Sequence, residues 1–135
     1  MAILVGEGPV ILVDDNEDAL RLASAVFGIV ELKNTLLLLN SGTKLVAYLE
    51  KVQVNEAVMP SVVLLDINMP TPNGFETLKK IRDNPTFAVK PKIIMLTASN
   101  DDKDKDRALT AGANDYQVKP FDLTEFLEFA KALSA

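Results

Sequence analysis

Two hydrophobic patterns alternate along this chain: short unbroken apolar runs, and longer stretches in which apolar residues recur three or four positions apart. Pro9-Val-Ile-Leu-Val13 is of the first kind and is ended by acidic residues. Asn16 to Phe27 is of the second kind, with Ala19, Leu20, Leu22, Ala23, Val26 and Phe27 on one stripe, so the opening predicts a strand and then a helix. Thr35 to Asn40 is Leu-rich and fits either type by itself. Ser41-Gly42 interrupts it before Leu45, Val46, Leu49 and Val52 resume helical spacing, and that punctuation favours a strand. The segment from Gly28 to Asn34 makes this strand hard to bound. Ser61-Val-Val-Leu-Leu65 and Lys92-Ile-Ile-Met-Leu96 are β-branched, follow Pro60 and Pro91, and do not alternate, so they read as strands covered on both faces.

Between those two runs, Gly74 to Ile81 predicts a short helix through Phe75, Leu78 and Ile81, stopped before Pro85. Asp101 to Ala111 predicts a charged helix with a thin apolar face, and Gly112 suits its C′ position. Asp115 to Val118 makes a fifth strand, and Asp122 caps a last helix that buries Leu123, Phe126, Leu127, Ala130 and Leu133. Five strand-helix units with right-handed crossovers predict an α/β fold, a doubly wound parallel sheet of five strands with helices on both faces. The length of 135 residues suits one domain with one core, expected to span 1–135, and no linker, low-complexity tract or tandem repeat divides it.

Composition narrows the chemistry. A net charge of -5 argues against a broad electrostatic grip on nucleic acid or on an anionic membrane, and suits a cation. No apolar run approaches the length that spans a bilayer, and the start, Met1-Ala-Ile-Leu-Val-Gly-Glu, lacks the basic n-region of a signal peptide, so a cytoplasmic protein is expected. Without cysteine there is no disulfide, thiolate nucleophile or zinc-cysteine site. Without histidine there is no Ser-His-Asp or Cys-His scheme.

The candidate chemistry stands just past the ends of the predicted strands, and the strand ends of a parallel sheet converge on one edge. Asp14 and Asp15 follow the first strand, two adjacent carboxylates whose repulsion a divalent cation would relieve; a helix cap is the plainer role for Asp15 or Asn16. Asp66 follows the third strand in Leu64-Leu65-Asp66-Ile67-Asn68-Met69-Pro70, where its carboxylate can attack phosphorus or serve as a third oxygen ligand beside the Asn68 backbone carbonyl. The plainer role for Asp66 is a turn residue ahead of Pro70. Thr97 closes the fourth strand with a hydroxyl donor, and small Ala98 leaves room for a phosphoryl group. Lys119 follows the fifth strand as a point charge for a phosphoryl oxygen; Pro120 behind it could take the cis form, trans being the default. Taken singly, Thr97 is an ordinary β-former and Lys119 a solvated lysine. Their joint placement is much harder to obtain by accident.

With those residues in order, the chain resembles the receiver domains of two-component response regulators, CheY-like in type, over essentially its whole length. The Asp14-Asp15 pair, Asp66-Ile-Asn-Met-Pro70, Thr97-Ala98 and Lys119-Pro120 carry the likeness. The resemblance implies the flavodoxin-like strand order 2-1-3-4-5. It further implies Asp66 as phosphoacceptor, Mg²⁺ (or Mn²⁺) on Asp14, Asp15, Asp66 and the Asn68 carbonyl, and phosphate contacts from Thr97, Ala98 and Lys119. Tyr116 matches the family's switch aromatic, acting with Thr97, where a half-buried strand tyrosine is the plainer reading. The implied donor is a phosphohistidine on a sensor histidine kinase or a histidine phosphotransfer protein. The implied output is a protein target or a second copy, met by the face of the fourth helix, fifth strand and fifth helix. Because the sequence stops just after the fifth helix, no effector domain is expected. The charged stretch from Ser99 to Asp106 looks like that of stand-alone regulators partnered with phytochrome-type or hybrid kinases. Asn68 and Ser99 flank the site where they could tune hydrolysis.

Three rival readings are weaker. Asp102, Asp104 and Asp106 mimic a calcium loop, but Arg107 and Ala113 stand where glycine and glutamate are needed. An aspartyl phosphatase needs a second acid two residues after its nucleophile, and Asn68 cannot act as general acid or base. No enzyme acting on an external substrate is therefore expected, only self-phosphorylation and its reversal. A degenerate receiver, binding partners without phosphorylation, would lack an acid or the lysine, and this chain keeps them all.

Overall fold

In the computed structural model, which describes residues 7–98, 102–120 and 122–134, five strands and five α-helices alternate. The strands are β1 (Val10–Val13), β2 (Leu36–Leu39), β3 (Val62–Asp66), β4 (Ile93–Thr97) and β5 (Asp115–Val118). The helices are α1 (Glu17–Val30), α2 (Gly42–Gln53), α3 (Gly74–Asp83), α4 (Asp102–Thr110) and α5 (Leu123–Ser134). A 3-10 turn at Pro85–Phe87 separates α3 from β4. All pairings are parallel, in the order β2-β1-β3-β4-β5.

Alternate residues of each central strand feed two cores. Ile11, Val13, Val63, Leu65, Ile93 and Met95 face Leu45 and Leu49 of α2 and Phe75, Leu78 and Ile81 of α3. Val10, Leu12, Val62, Leu64, Ile94 and Leu96 face Ala23, Val26 and Phe27 of α1 and Phe126, Ala130 and Leu133 of α5. That is why β3 and β4 show no apolar-polar alternation: both faces are dry. The edge strands differ, β2 being half-buried throughout and β5 burying only Tyr116.

Helix boundaries follow local hydrogen bonding. Asn16 caps α1, accepting from the Asp18 and Ala19 N–H groups, and Asn73 forms a capping box with Glu76 at α3. Asp122 caps α5 as predicted, its Oδ1 accepting from Glu125 N at 2.8 Å. Gly112 is the C′ residue of α4 with φ 108°, where Gly112 N donates to Leu109 O and Ala113 N to Ala108 O, the Schellman pattern. Helix α1 runs on to Val30, past the predicted end at Phe27, because its stop is Glu31 in the left-handed region (φ 58°), a position without a glycine to announce it. The cis peptide bonds among the described residues precede Pro72 and Pro91, so the default trans form holds at Lys119–Pro120.

Candidate functional site

Sheet register assembles the site. Val13 pairs with Leu65, so the next residues, Asp14 and Asp66, emerge side by side from β1 and β3. Asp66 in turn lies beside Leu96, and Thr97 beside Val118, which brings Lys119 to the same edge. Lys119 N donates to Thr97 O at 2.6 Å, tying the start of the β5–α5 connection to the end of β4.

Carboxylate oxygens of Asp14, Asp15 and Asp66 lie within 4.8 Å of one another. Asp14 and Asp66 are buried at 1% and 3% exposure, whereas Asp15 faces solvent. Since Asn16 rather than Asp15 caps α1, the Asp15 carboxylate is not used by the helix. Asp14 Oδ1 accepts from Asn16 N at 2.9 Å, and Asp66 Oδ1 from Asn68 N at 3.2 Å. The two remaining buried oxygens share one cation: Lys119 Nζ lies 2.5 Å from Asp14 Oδ2 and 3.5 Å from Asp66 Oδ2. Beyond that ion pair with Lys119, the buried Asp14 Oδ2 has no further hydrogen-bond partner.

Three carboxylates against one ammonium leave an excess of negative charge in a water-poor cleft. Burial, and then the neighbouring Asp14 charge, push the Asp66 carboxyl up from 3.8 to about 6, while Lys119 and the Asn68 N–H pull it down. For Lys119, burial acts downward and the two adjacent carboxylates outweigh it, so its ammonium is held above the usual range. A hard divalent cation fits this donor set: oxygen ligands only, with three carboxylates against one ammonium.

Of the sequence-predicted residues, the structure brings Asp14, Asp15, Asp66 and Lys119 together. Thr97 is buried at the end of β4, with Ala98 exposed beside it, and Tyr116 is buried on β5 in the core beneath α4. Ser99 and Asp101 lie outside the described residues. Sequence reasoning missed Gly74: a Cβ there would sit 2.5 Å from Asp66 O, so only glycine lets α3 start against the strand end that carries Asp66. Its only signal was a glycine at a predicted helix start. A cavity of about 570 Å³ lies at the opposite end of the sheet, lined by Gly8, Ser61, Pro91 and Asn114 at the beginnings of strands, away from the acid cluster.

The family model of the response regulator receiver domain matches residues 10–131. This chain is a response regulator receiver domain. Among curated relatives, the receiver domain is 43% identical over 72 residues to response regulator ArlR of Staphylococcus saprophyticus, covering 53% of this chain and 31% of ArlR. The chain thus spans about a third of the length of that relative. Its fold is similar to the Mn²⁺-bound form of response regulator Rcp1, with TM-score 0.77, 25% identity, and coverage of 95% of this chain and 91% of that one. It is also similar to the phosphorylated cyanobacterial phytochrome response regulator RcpA, with TM-score 0.79, 25% identity, and coverage of 96% and 91%. The receiver domain thus has the five-stranded 2-1-3-4-5 sheet of the CheY-like fold, and its acid cluster lies at the sheet edge where open α/β folds hold ligands.

Proposed function

We propose that this receiver domain accepts a phosphoryl group on Asp66 from a phosphohistidine, on a sensor histidine kinase or a histidine phosphotransfer protein, and relays the change to a partner. The observation that carries the reading is the convergence of Asp66, Asp14, Asp15 and Lys119 at one sheet edge. In the transfer, an Asp66 carboxylate oxygen forms a bond to phosphorus as the donor's P–N bond breaks, and the departing imidazole takes up a proton. The product is an acyl phosphate, and attack of water at phosphorus returns the Asp66 carboxylate and inorganic phosphate. The protein thus acts catalytically only on its own carboxylate.

Asp14, Asp15, Asp66 and the Asn68 backbone carbonyl would hold Mg²⁺ or Mn²⁺, which when bound supplies positive charge against the phosphoryl oxygens. Lys119 stays within reach of Asp66 and neutralises a further oxygen. Thr97 donates its hydroxyl to the phosphoryl group, with Ala98 leaving space, and Tyr116 follows Thr97 as the switch. The shifted surface is α4-β5-α5, which then meets a protein target or a second copy of this chain; no nucleic acid or membrane contact is required. A cytoplasmic location accords with this chemistry, and no described helix is long and apolar enough to cross a membrane.

The test is incubation with Mg²⁺ and acetyl phosphate or phosphoramidate, read by intact mass. A gain of one phosphoryl group is expected, lost with EDTA and in Asp66→Asn. Labelling that persists in Asp66→Asn would overturn the assignment.

A further inference from the structure

The least anchored helix next to the site is α4. It has nine residues, only Ala108 of them is buried, and its exposed surface is dominated by charge. On its α3 side, the Arg107 guanidinium lies 4.0 Å from the centre of the Phe75 ring. Cavities of about 420 Å³ lie on either side of this contact, one lined by Asn68, Asn73, Phe75, Asp104 and Arg107, the other by Phe75, Lys79, Arg107 and Thr110. The pair therefore bridges α3 and α4 across space that is otherwise loosely filled.

The two ends of the bridge differ in firmness. Phe75 is 7% exposed and follows Gly74, whose N–H donates to Ile67 O and whose Cα packs against the Asp66 carbonyl, so α3 is locked to the strand end that carries Asp66. Helix α4 begins at Asp102, five positions after Thr97, the residue proposed above to donate to a phosphoryl group on Asp66. On the phosphoacceptor reading, a shift of Thr97 acts on the weakly held helix α4, whereas Phe75 is held by α3. Any such displacement of α4 must stretch or break the cation-π contact.

We propose that the Arg107–Phe75 pair is a latch that holds α4 in the arrangement of the unmodified protein and opposes activation. Arg107 is thus a positioning residue, acting through α4 and not on the phosphoryl group. The inference rests on the reading of Asp66 as phosphoacceptor. A contact made only in the resting state lowers the apparent affinity for any ligand of the active state by the factor by which it favours rest. For an exposed cation-π pair that factor is about two to five.

The experiment is titration of the full chain with fluoroberyllate in the presence of Mg²⁺, together with amide hydrogen exchange of α4. Arg107→Ala is expected to tighten fluoroberyllate binding about two- to five-fold and to raise α4 exchange in the free protein by a similar factor. Arg107→Lys, which keeps a cation, should fall between, and Phe75→Leu should reproduce Arg107→Ala. A merely structural contact would leave affinity unchanged or weaken it, and either result overturns the latch. Absence of fluoroberyllate binding to the wild-type chain would sink the phosphoacceptor reading instead. The exchange comparison still decides in that case, since unchanged α4 exchange in Arg107→Ala refutes the restraint itself.

Discussion

Asp66 is under two opposing demands. As the proposed nucleophile it has to be ionised, yet burial and Asp14 favour its protonated form and push it up to about 6. Below the ordinary value of 3.8, folded and unfolded chains both hold the proton, and no penalty exists. Between there and about 6 the folded state keeps a proton that the unfolded chain releases, so this residue makes the metal-free protein less stable as pH rises. The interval bounds the effect at about 3 kcal/mol. In urea unfolding with EDTA, the stability of Asp66→Asn relative to wild type should therefore climb from pH 4 to pH 7 and then level off. Mg²⁺ should close much of that gap by stabilising the wild-type carboxylates. A constant difference across the range would mean that Asp66 is not the titrating group.

At the scale of elements, the fold depends on a residue that no motif singles out. Arg82, in the last turn of α3, is half-buried and donates to four acceptors: Gly112 O at 2.9 Å, Phe87 O at 3.1 Å, Pro91 O at 2.9 Å and Asn114 Oδ1 at 3.0 Å. Asn114 Oδ1 also accepts from Ile93 N at 2.8 Å, so one guanidinium joins the end of α3, the 3-10 turn, the start of β4 and the α4–β5 turn. Arg82→Met keeps the packing of the stem and strips these bonds. It should cost about 2–3 kcal/mol in chemical denaturation, because four acceptors, most of them partly buried, lose a charged donor. Phosphorylation of the folded fraction should proceed at the wild-type rate, since Arg82 sits at the far end of the sheet from Asp66. In the sequence Arg82 is one more basic residue near a helix C-terminus, and its four acceptors come from segments up to 32 positions away.

The molecule as a whole is a sheet with two separate dry faces, and the two are not equal. The α1–α5 face is closed by Phe27 and Phe126 packed edge to face at 6.5 Å, with Phe129 at 6.3 Å from Phe126. The other face carries α4 and Tyr116 beside the site. Phe126→Ala should therefore cost about 3–5 kcal/mol in urea denaturation. At a temperature where the variant is folded, its fluoroberyllate affinity should fall far less than its stability, because Phe126 packs against α1 on the face away from α4. A large loss of affinity there would show that the two faces are energetically one.

The sequence by itself determined the order of the five strands, the burial of β3 and β4 on both faces, and the residues at the strand ends, because central parallel strands announce themselves as unbroken apolar runs that end where a polar side chain must leave the core. It also determined the Gly112 and Asp122 helix boundaries, which rest on local hydrogen bonds. What only the tertiary structure decided is relational. Sheet register set Asp14 beside Asp66, with Lys119 shared between them. Close packing required glycine at position 74, a left-handed Glu31 ended α1, and Arg107 came to rest over Phe75. The pairing of Asp14 with Asp66 and of Arg107 with Phe75 depends on distances between segments remote in the chain, and those distances are fixed by folding and by nothing in the local sequence.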